Sequence, residues 1–296
     1  MTAVAEPTAT VLSRPLSASG AWLTPTLLLL PCLIWIAFFF LLPLASMCWR
    51  SLASEGFSLE AYAVLFTSPL YTKVMLTTVK TAAITTVFAL LLGYPLAYAL
   101  TISGGKLRGL ILVFVLIPYW VDIIVRSFSW LILLGDNGLV NKGRIGLGIL
   151  SAPLQLLYTP LSVLLAMVQI LLPLTTVTLF GAMLRIDRTL MAAAKIHGAN
   201  EWQAFRTVFF PLSLPGVYDA GLLVFVLALG FYVTPALLGS PRETMIAQTI
   251  MVEANQLLDW PQASAAGAVL LLITTSIAAV YNHYFSLDRL WGGAEK

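Results

Sequence analysis

The sequence reads as an all-α membrane protein with six transmembrane helices, on three observations. Of its 296 residues 59% are hydrophobic and 10% charged, where soluble domains carry roughly 45–50% and about 25%. The apolar residues fall in long continuous runs rather than alternating every second position, which selects helices over a barrel. The runs number six, so both ends of the chain lie on one side. A soluble fold with so few charges has nothing with which to cover its outside. Hydrocarbon removes that difficulty but forces the backbone into helices or a closed barrel, because lipid offers no hydrogen-bond partners.

Residues 1–21 are polar, rich in Ser, Thr and Pro, with Arg14 as their one base; they read as a cytoplasmic tail. The apolar run that follows is too long for a cleaved leader and lacks a small-residue cleavage site. The membrane domain is expected over 22–285. Its spans fall at about 22–48, 79–102, 109–134, 157–184, 208–238 and 264–285, each with the ~20 apolar residues a crossing needs. The fifth holds Pro211, Pro215 and Pro235 and is expected as two shorter helical pieces. Residues 286–296 form a second cytoplasmic tail. With both termini inside, Lys and Arg number nine inside against six outside, a bias in the direction of the positive-inside rule.

The segment 185–206 differs from the other loops. It carries charge, yet Ile196, Ala199, Trp202 and Phe205 recur at roughly helical spacing. Asp187 is placed to cap a helix start, Gly198 interrupts it, and Asn200 with Gln203 has the spacing of a capping box that starts a second short helix. Two readings are open: an amphipathic element resting in lipid headgroups, or a docking surface for a soluble partner.

The stretch Ala192-Ala193-Ala194-Lys195-Ile196-His197-Gly198, followed after nine residues by Val208-Phe209-Phe210-Pro211, resembles the EAA loop of the permease subunits of binding-protein-dependent ABC importers. Ala192 stands where that loop has Glu, and Phe210 where Leu is usual. Three further strings are similar to the spermidine/putrescine permeases: 117–141, 230–250 and Asp259-Trp260-Pro261. The resemblance implies a type I ABC importer permease fold in a bacterial inner membrane. It implies as partners a second permease subunit, two ATPase subunits and a periplasmic or extracellular substrate-binding protein, within membrane lipid and without nucleic acid. It assigns ATPase coupling to Ala192, Ala193, Ala194, Gly198, Ala199, Trp202, Phe205 and Pro211. ATP and Mg would be held by the partner. This chain has no phosphate-cradling loop of its own, since Gly104-Gly105-Lys106 is followed by Leu107 and lacks the earlier glycine.

Charges inside a span are costly and face protein or water. Asp122 and Arg126, four apart in the third expected span, read as a structural ion pair or, for Asp122, as a carboxylate on the translocation path. Asp219 is the other acid within a span. Tyr119, Trp120, Phe231 and Tyr232 offer ring faces for an ammonium group or simply pack. Arg126 fits the family pattern, Asp122 replaces a neutral residue common there, and many relatives carry an acid where Phe231 stands. Polyamine is the leading cargo by resemblance, with another small amine, an amino-acid derivative or an organic anion as alternatives.

A secondary transporter would bring paired repeats of broken helices, and no such halves stand out. An intramembrane aspartyl protease would bring a Gly-x-Gly-Asp motif, which is absent, and no Ser/His pairing lies inside the spans. His197 and His283, the two histidines, suggest no catalysis. Cys32 and Cys48 lie about 24 Å apart on one helix, too far for a disulfide. No catalytic or metal site is expected.

Overall fold

Prolines and glycines decide where the helices of this chain start, widen and stop. The computed structural model describes residues 23–52, 57–148 and 152–285; the two expected tails lie outside them. Two units separate, Met1–Trp49 and Arg50–Lys296. The first unit holds α1 (Leu23–Ile36), a π-turn (Ala37–Leu41) and most of α2 (Leu42–Arg50). Pro43 cannot donate a backbone hydrogen bond and its ring crowds the preceding turn. The chain widens just ahead of it, where the Leu42 N–H donates to the Ala37 carbonyl five residues back.

The second unit begins with α3 (Glu60–Thr67) and α4 (Pro69–Ile102). It continues through α5 (Gly105–Leu116), a 3₁₀ turn (Ile117–Trp120), α6 (Ile123–Leu134) and α7 (Leu139–Gly146) to α8 (Pro160–Met183). Two short helices follow, α9 (Arg188–Ile196) and α10 (Glu201–Ala204), then a π-turn (Phe205–Phe209) that runs into α11 (Phe210–Leu229). Last come α12 (Val233–Leu238), α13 (Ile246–Val252), a third π-turn (Glu253–Leu257) and α14 (Trp260–Phe285). Among the described residues six segments are long and apolar enough to cross a membrane.

Two expected spans need correction. The third, expected unbroken over 109–134, stops at Leu116. Pro118 removes a donor there, Val121 is extended, and Asp122 caps a new helix; the crossing segment is Ile123–Gly146. The fifth does divide in two, but at Gly230, Phe231 and Tyr232, after α11 has run straight through Pro215. Pro211 follows the π-turn 205–209, and the helix runs on through it from Glu201 to Leu229.

The core of this unit is a seam of α4, α8 and α11. On α4 the buried positions recur every three or four residues, through Val74, Thr78, Ala82, Thr85, Ala89, Gly93 and Ala97. Lipid tails are as apolar as side chains, so helices in membranes associate through close packing of small residues. Thr86, Thr175 and Thr176 return their hydroxyl protons to carbonyls four residues earlier at 2.8–2.9 Å, which makes them behave as small apolar residues, while Thr78 does the same at 2.8 Å and also accepts the Ile246 N–H at 2.8 Å. A Cβ built on Gly216 would stand 2.3 Å from the Cβ of Ala182, and one on Gly93 3.0 Å from Thr175 Cγ2.

The ends of the bundle are tied by different chemistry. At one end Arg108 donates through Nε to the Leu100 carbonyl at 3.0 Å and through Nη2 to the Ser103 carbonyl at 3.1 Å. Those acceptors belong to the last turn of α4 and its capping residue, and the guanidinium also lies 5.9 Å from the centre of the Phe180 ring. At the other end Asn141 exchanges two hydrogen bonds with Leu154 at 3.0 Å.

Gly216→Ala is expected to lower the stability of the bundle by about 1–3 kcal/mol through overpacking. Gly221→Ala, which would meet only the flexible Leu90 Cδ1 at 3.3 Å, is expected to change little. Thermal unfolding in nanodiscs checks both, and equal midpoints for the two variants would contradict the close approach of α8 and α11.

Candidate functional site

Two places bring together residues that the sequence singles out. The first is the pair of helix breaks at 117–122 and 230–232. Arg126 Nη1 reaches the Ile170 carbonyl at 3.5 Å and Trp130 Nε1 reaches Gln169 Oε1 at 3.4 Å, so α6 runs antiparallel to α8. Asp122 lies one turn before Arg126 and is therefore level with the middle of α8. The Ser127 and Thr234 hydroxyls meet at 3.1 Å, which sets the start of α12 beside the start of α6 and the two breaks next to each other. Backbone outside a helix is tolerated at such depth only where it meets protein or a water-filled cavity.

Asp122 and Arg126, read as an ion pair or a path carboxylate, make no direct ion-pair contact, although the carboxylate charge still acts on the guanidinium. Asp122 is the N-cap of α6 rather than a member of the helix, and its Oδ1 accepts the Ile124 N–H at 2.7 Å. A carboxylate at that position satisfies one of the helix's free amides and complements its dipole. Arg126 turns toward α8, and its buried Nε has no hydrogen-bond partner. Asp122 is exposed, as are Tyr119 at 51%, Trp120 at 87% and Tyr232 at 38%. Phe231, by contrast, is half-buried and packs on the core cluster around Leu229 and Leu238.

Asp219 is elsewhere. On α11 it accepts a hydrogen bond from the Tyr281 hydroxyl and opens onto a groove of about 800 Å³ that also touches Arg185, Asp187 and Gly216. The acids of the two expected path positions therefore belong to different parts of the molecule.

The second place is the loop 185–206. Asp187 caps α9 by accepting the Thr189 N–H at 2.9 Å. Gly198 takes φ +90°, a left-handed conformation that favours glycine at a helix end. Asn200 and Gln203 form the reciprocal capping box, at 2.8 and 2.9 Å. Lys195 and Glu201 pair across the turn. The apolar residues of this element divide between two faces. Ile196 at 85% and Trp202 at 67% are exposed, as are Ala192 and Ala193, while Ala194 and Ala199 are half-buried.

Phe205, the last member of the expected apolar stripe, is half-buried and turns inward. Its ring lies 4.9 Å from Tyr98, 6.3 Å from Tyr94 and 5.9 Å from Phe209, and Trp202 stacks on its outer side at 5.7 Å. These are favourable aromatic spacings. A π-turn follows at 205–209, in which the Phe210 N–H donates to the Phe205 carbonyl ahead of Pro211. Tyr94, Tyr98 and Ser213, whose hydroxyl meets that of Tyr94 at 2.8 Å, escaped the sequence reading. Two tyrosines four apart near a helix end were the available signal.

Comparison with known proteins agrees in fold and family. Residues 89–286 match the family described as binding-protein-dependent transport system inner membrane component. The spermidine/putrescine transport system permease protein PotB of Haemophilus influenzae is 32% identical over 255 residues, covering 83% of this chain and 89% of that one. PotB of Escherichia coli is 32% identical over 225 residues, covering 76% and 82%. Among solved structures, a bacterial ABC transporter that imports the acidic polysaccharide alginate superposes with a TM-score of 0.72 at 20% identity, over 89% of this chain and 95% of that one. The inward-facing MetNI methionine ABC transporter gives 0.57 at 16% identity, over 73% and 94%.

The hydrogen bonds from Thr189 hold the Asp187 carboxyl below its ordinary range. A depressed folded-state value means the cap stabilises α9 above the unfolded pKa and is lost as pH falls through the folded one. Amide protection at Thr189, corrected for intrinsic exchange, is expected to drop in that acid window. Asp187→Asn, which caps without titrating, is expected to keep its protection; an unchanged wild-type profile at low pH would rule out the cap.

Proposed function

The chain belongs to the family of binding-protein-dependent transport system inner membrane components, and from that footing we propose that it forms the translocation path of an ATP-driven importer for a polyamine. The observation that carries the cargo is the likeness to spermidine/putrescine permeases over 83% of this chain. The exposed Asp122 carboxylate beside the open rings of Tyr119 and Trp120 supports it. A carboxylate attracts an ammonium group, and an aromatic face adds about 0.5–2 kcal/mol per contact. Asp122 needs no rearrangement to serve, since one oxygen caps α6 and the other is free to take a solute.

ATP hydrolysis belongs to a separate cytoplasmic subunit, and the path is completed by a second permease subunit and fed by an external binding protein. The helix–turn–helix 185–206 docks the ATPase. Ile196 and Trp202 supply the apolar projections for a groove on that partner, while Phe205 passes the movement to α4 and α11 through Tyr94, Tyr98 and Phe209. With Ala192 in place of the family's Glu, the contact is apolar at that point. Both termini lie on the cytoplasmic side, together with this loop and the basic turn 103–108. The alternation between outward and inward states follows from closure of the ATPases, so this chain needs surfaces and joints rather than catalytic groups.

The complex in nanodiscs with its binding protein is expected to hydrolyse ATP faster in the presence of spermidine or putrescine. Asp122→Asn keeps the helix cap and removes only the charge, so its complex is expected to assemble yet lose most of that stimulation. Stimulation by an unrelated solute alone would retain the importer and reject the polyamine. Trp202→Ala, at an exposed position but stacked on Phe205, is expected to cost about 0.5–1.5 kcal/mol of stability while weakening ATPase association at least several-fold. Phe205→Ala is expected to cost about 3–5 kcal/mol, and a reversed ranking of the two on stability would refute their assigned faces.

A further inference from the structure

A second acid stands at the far end of α6 from Asp122. Asp136 follows the helix by two residues, and its carboxylate makes no hydrogen bond or ion pair with a described residue. It borders a cavity of about 380 Å³ whose other walls are Pro153, Gln155, Leu157 and Tyr158. That volume is within the range of small-molecule sites, roughly 300–1,000 Å³. Among the described residues the lining carries one acid, one amide, one phenol ring and no base.

The walls are held from below. Leu157 is buried in the core cluster with Leu134 and Leu238. Tyr158 takes φ +59°, an uncommon conformation for a bulky residue, and its N–H donates to the Leu238 carbonyl at 3.0 Å. The anchored backbone leaves its ring 51% exposed. Asp136 and Gln155 are exposed as well.

We propose that this cavity is an outer subsite for an organic ammonium ion, one helix length from Asp122. The inference rests on the polyamine reading of the translocation path. A primary ammonium has three N–H donors, and the cavity offers a carboxylate, an amide oxygen and a phenol within one lining, with a ring face to shield the charge. α6 has 12 residues and is therefore about 18 Å long. A solute released at the outer end of the bundle thus meets one carboxylate before the helix and another at its mid-membrane cap.

Equilibrium dialysis of radiolabelled spermidine against the transporter complex in nanodiscs, without binding protein or nucleotide, tests the subsite independently of transport. Asp136→Asn is expected to weaken one binding step by roughly ten-fold, on the scale of one charge-assisted hydrogen bond, and Asp136→Glu to restore most of it. Tyr158→Asn tolerates the left-handed backbone and is expected to weaken the same step about three-fold. Asp122→Asn is expected to leave that step intact. An isotherm unchanged by Asp136→Asn overturns the subsite even where polyamines stimulate ATP hydrolysis. If polyamines do not stimulate the wild type, an Asp136-dependent binding step still supports the subsite and the cargo reading alone falls.

Discussion

A backbone amide inside hydrocarbon has no water to turn to, and that constraint organises this molecule more than any side chain does. Each proline in a span leaves a carbonyl without its usual donor, and an exposed polar group in lipid costs several kcal/mol. The chain answers in a few repeated ways. Ahead of Pro43 and Pro211 it widens into a π-turn. At Pro69 and Pro160 it starts a helix, where no donor is missed. At Pro118 it gives up the helix and begins a new one under an aspartate cap.

The last of these answers turns a structural necessity into a site. A helix restarted at mid-depth has free amides in its first turn, and a carboxylate is the side chain that satisfies them best without carrying a donor of its own. Having one oxygen spent on the cap fixes the direction of the other. The neighbouring break at 230–232 leaves further irregular backbone at the same level. Polar solute and polar backbone thus occupy the same layer, and neither requires the lipid to accommodate it.

Much of this was legible beforehand, because it is written in local chemistry. The number of crossings follows from apolar run length, and the caps at Asp187 and Asn200, the turn at Gly198 and the division of the fifth span follow from residue type and spacing. What escaped involves contacts between distant positions or a change of helical pitch. Asp122 and Arg126 suggested a pair because four residues make one α-turn, and the cap at Asp122 removes the premise. Phe205 shared an apolar stripe with Ile196, Ala199 and Trp202, and spacing alone does not say which bundle residues its ring meets. Tyr94 and Tyr98 became visible only with the ring they enclose, since aromatic residues are common in any span.

The π-turn at Phe205–Phe209 has a further consequence for how this chain can change over time. One residue added to an α-helix turns everything after it by about 100°, and a π-turn is a place where that addition has been absorbed. Removing one residue there would restore ordinary pitch and leave α11 in the register it already has, whereas a residue removed just beyond the π-turn would rotate α11 against the loop that drives it. Gly216 would leave its seat against Ala182, and a larger residue would take its place in the seam. The loop and the bundle are thus joined by a fixed angular offset. Substitutions can drift on either side of the joint, and a single-residue change within it is absorbed, whereas an insertion or deletion beyond it alters the relation between the driving surface and the path.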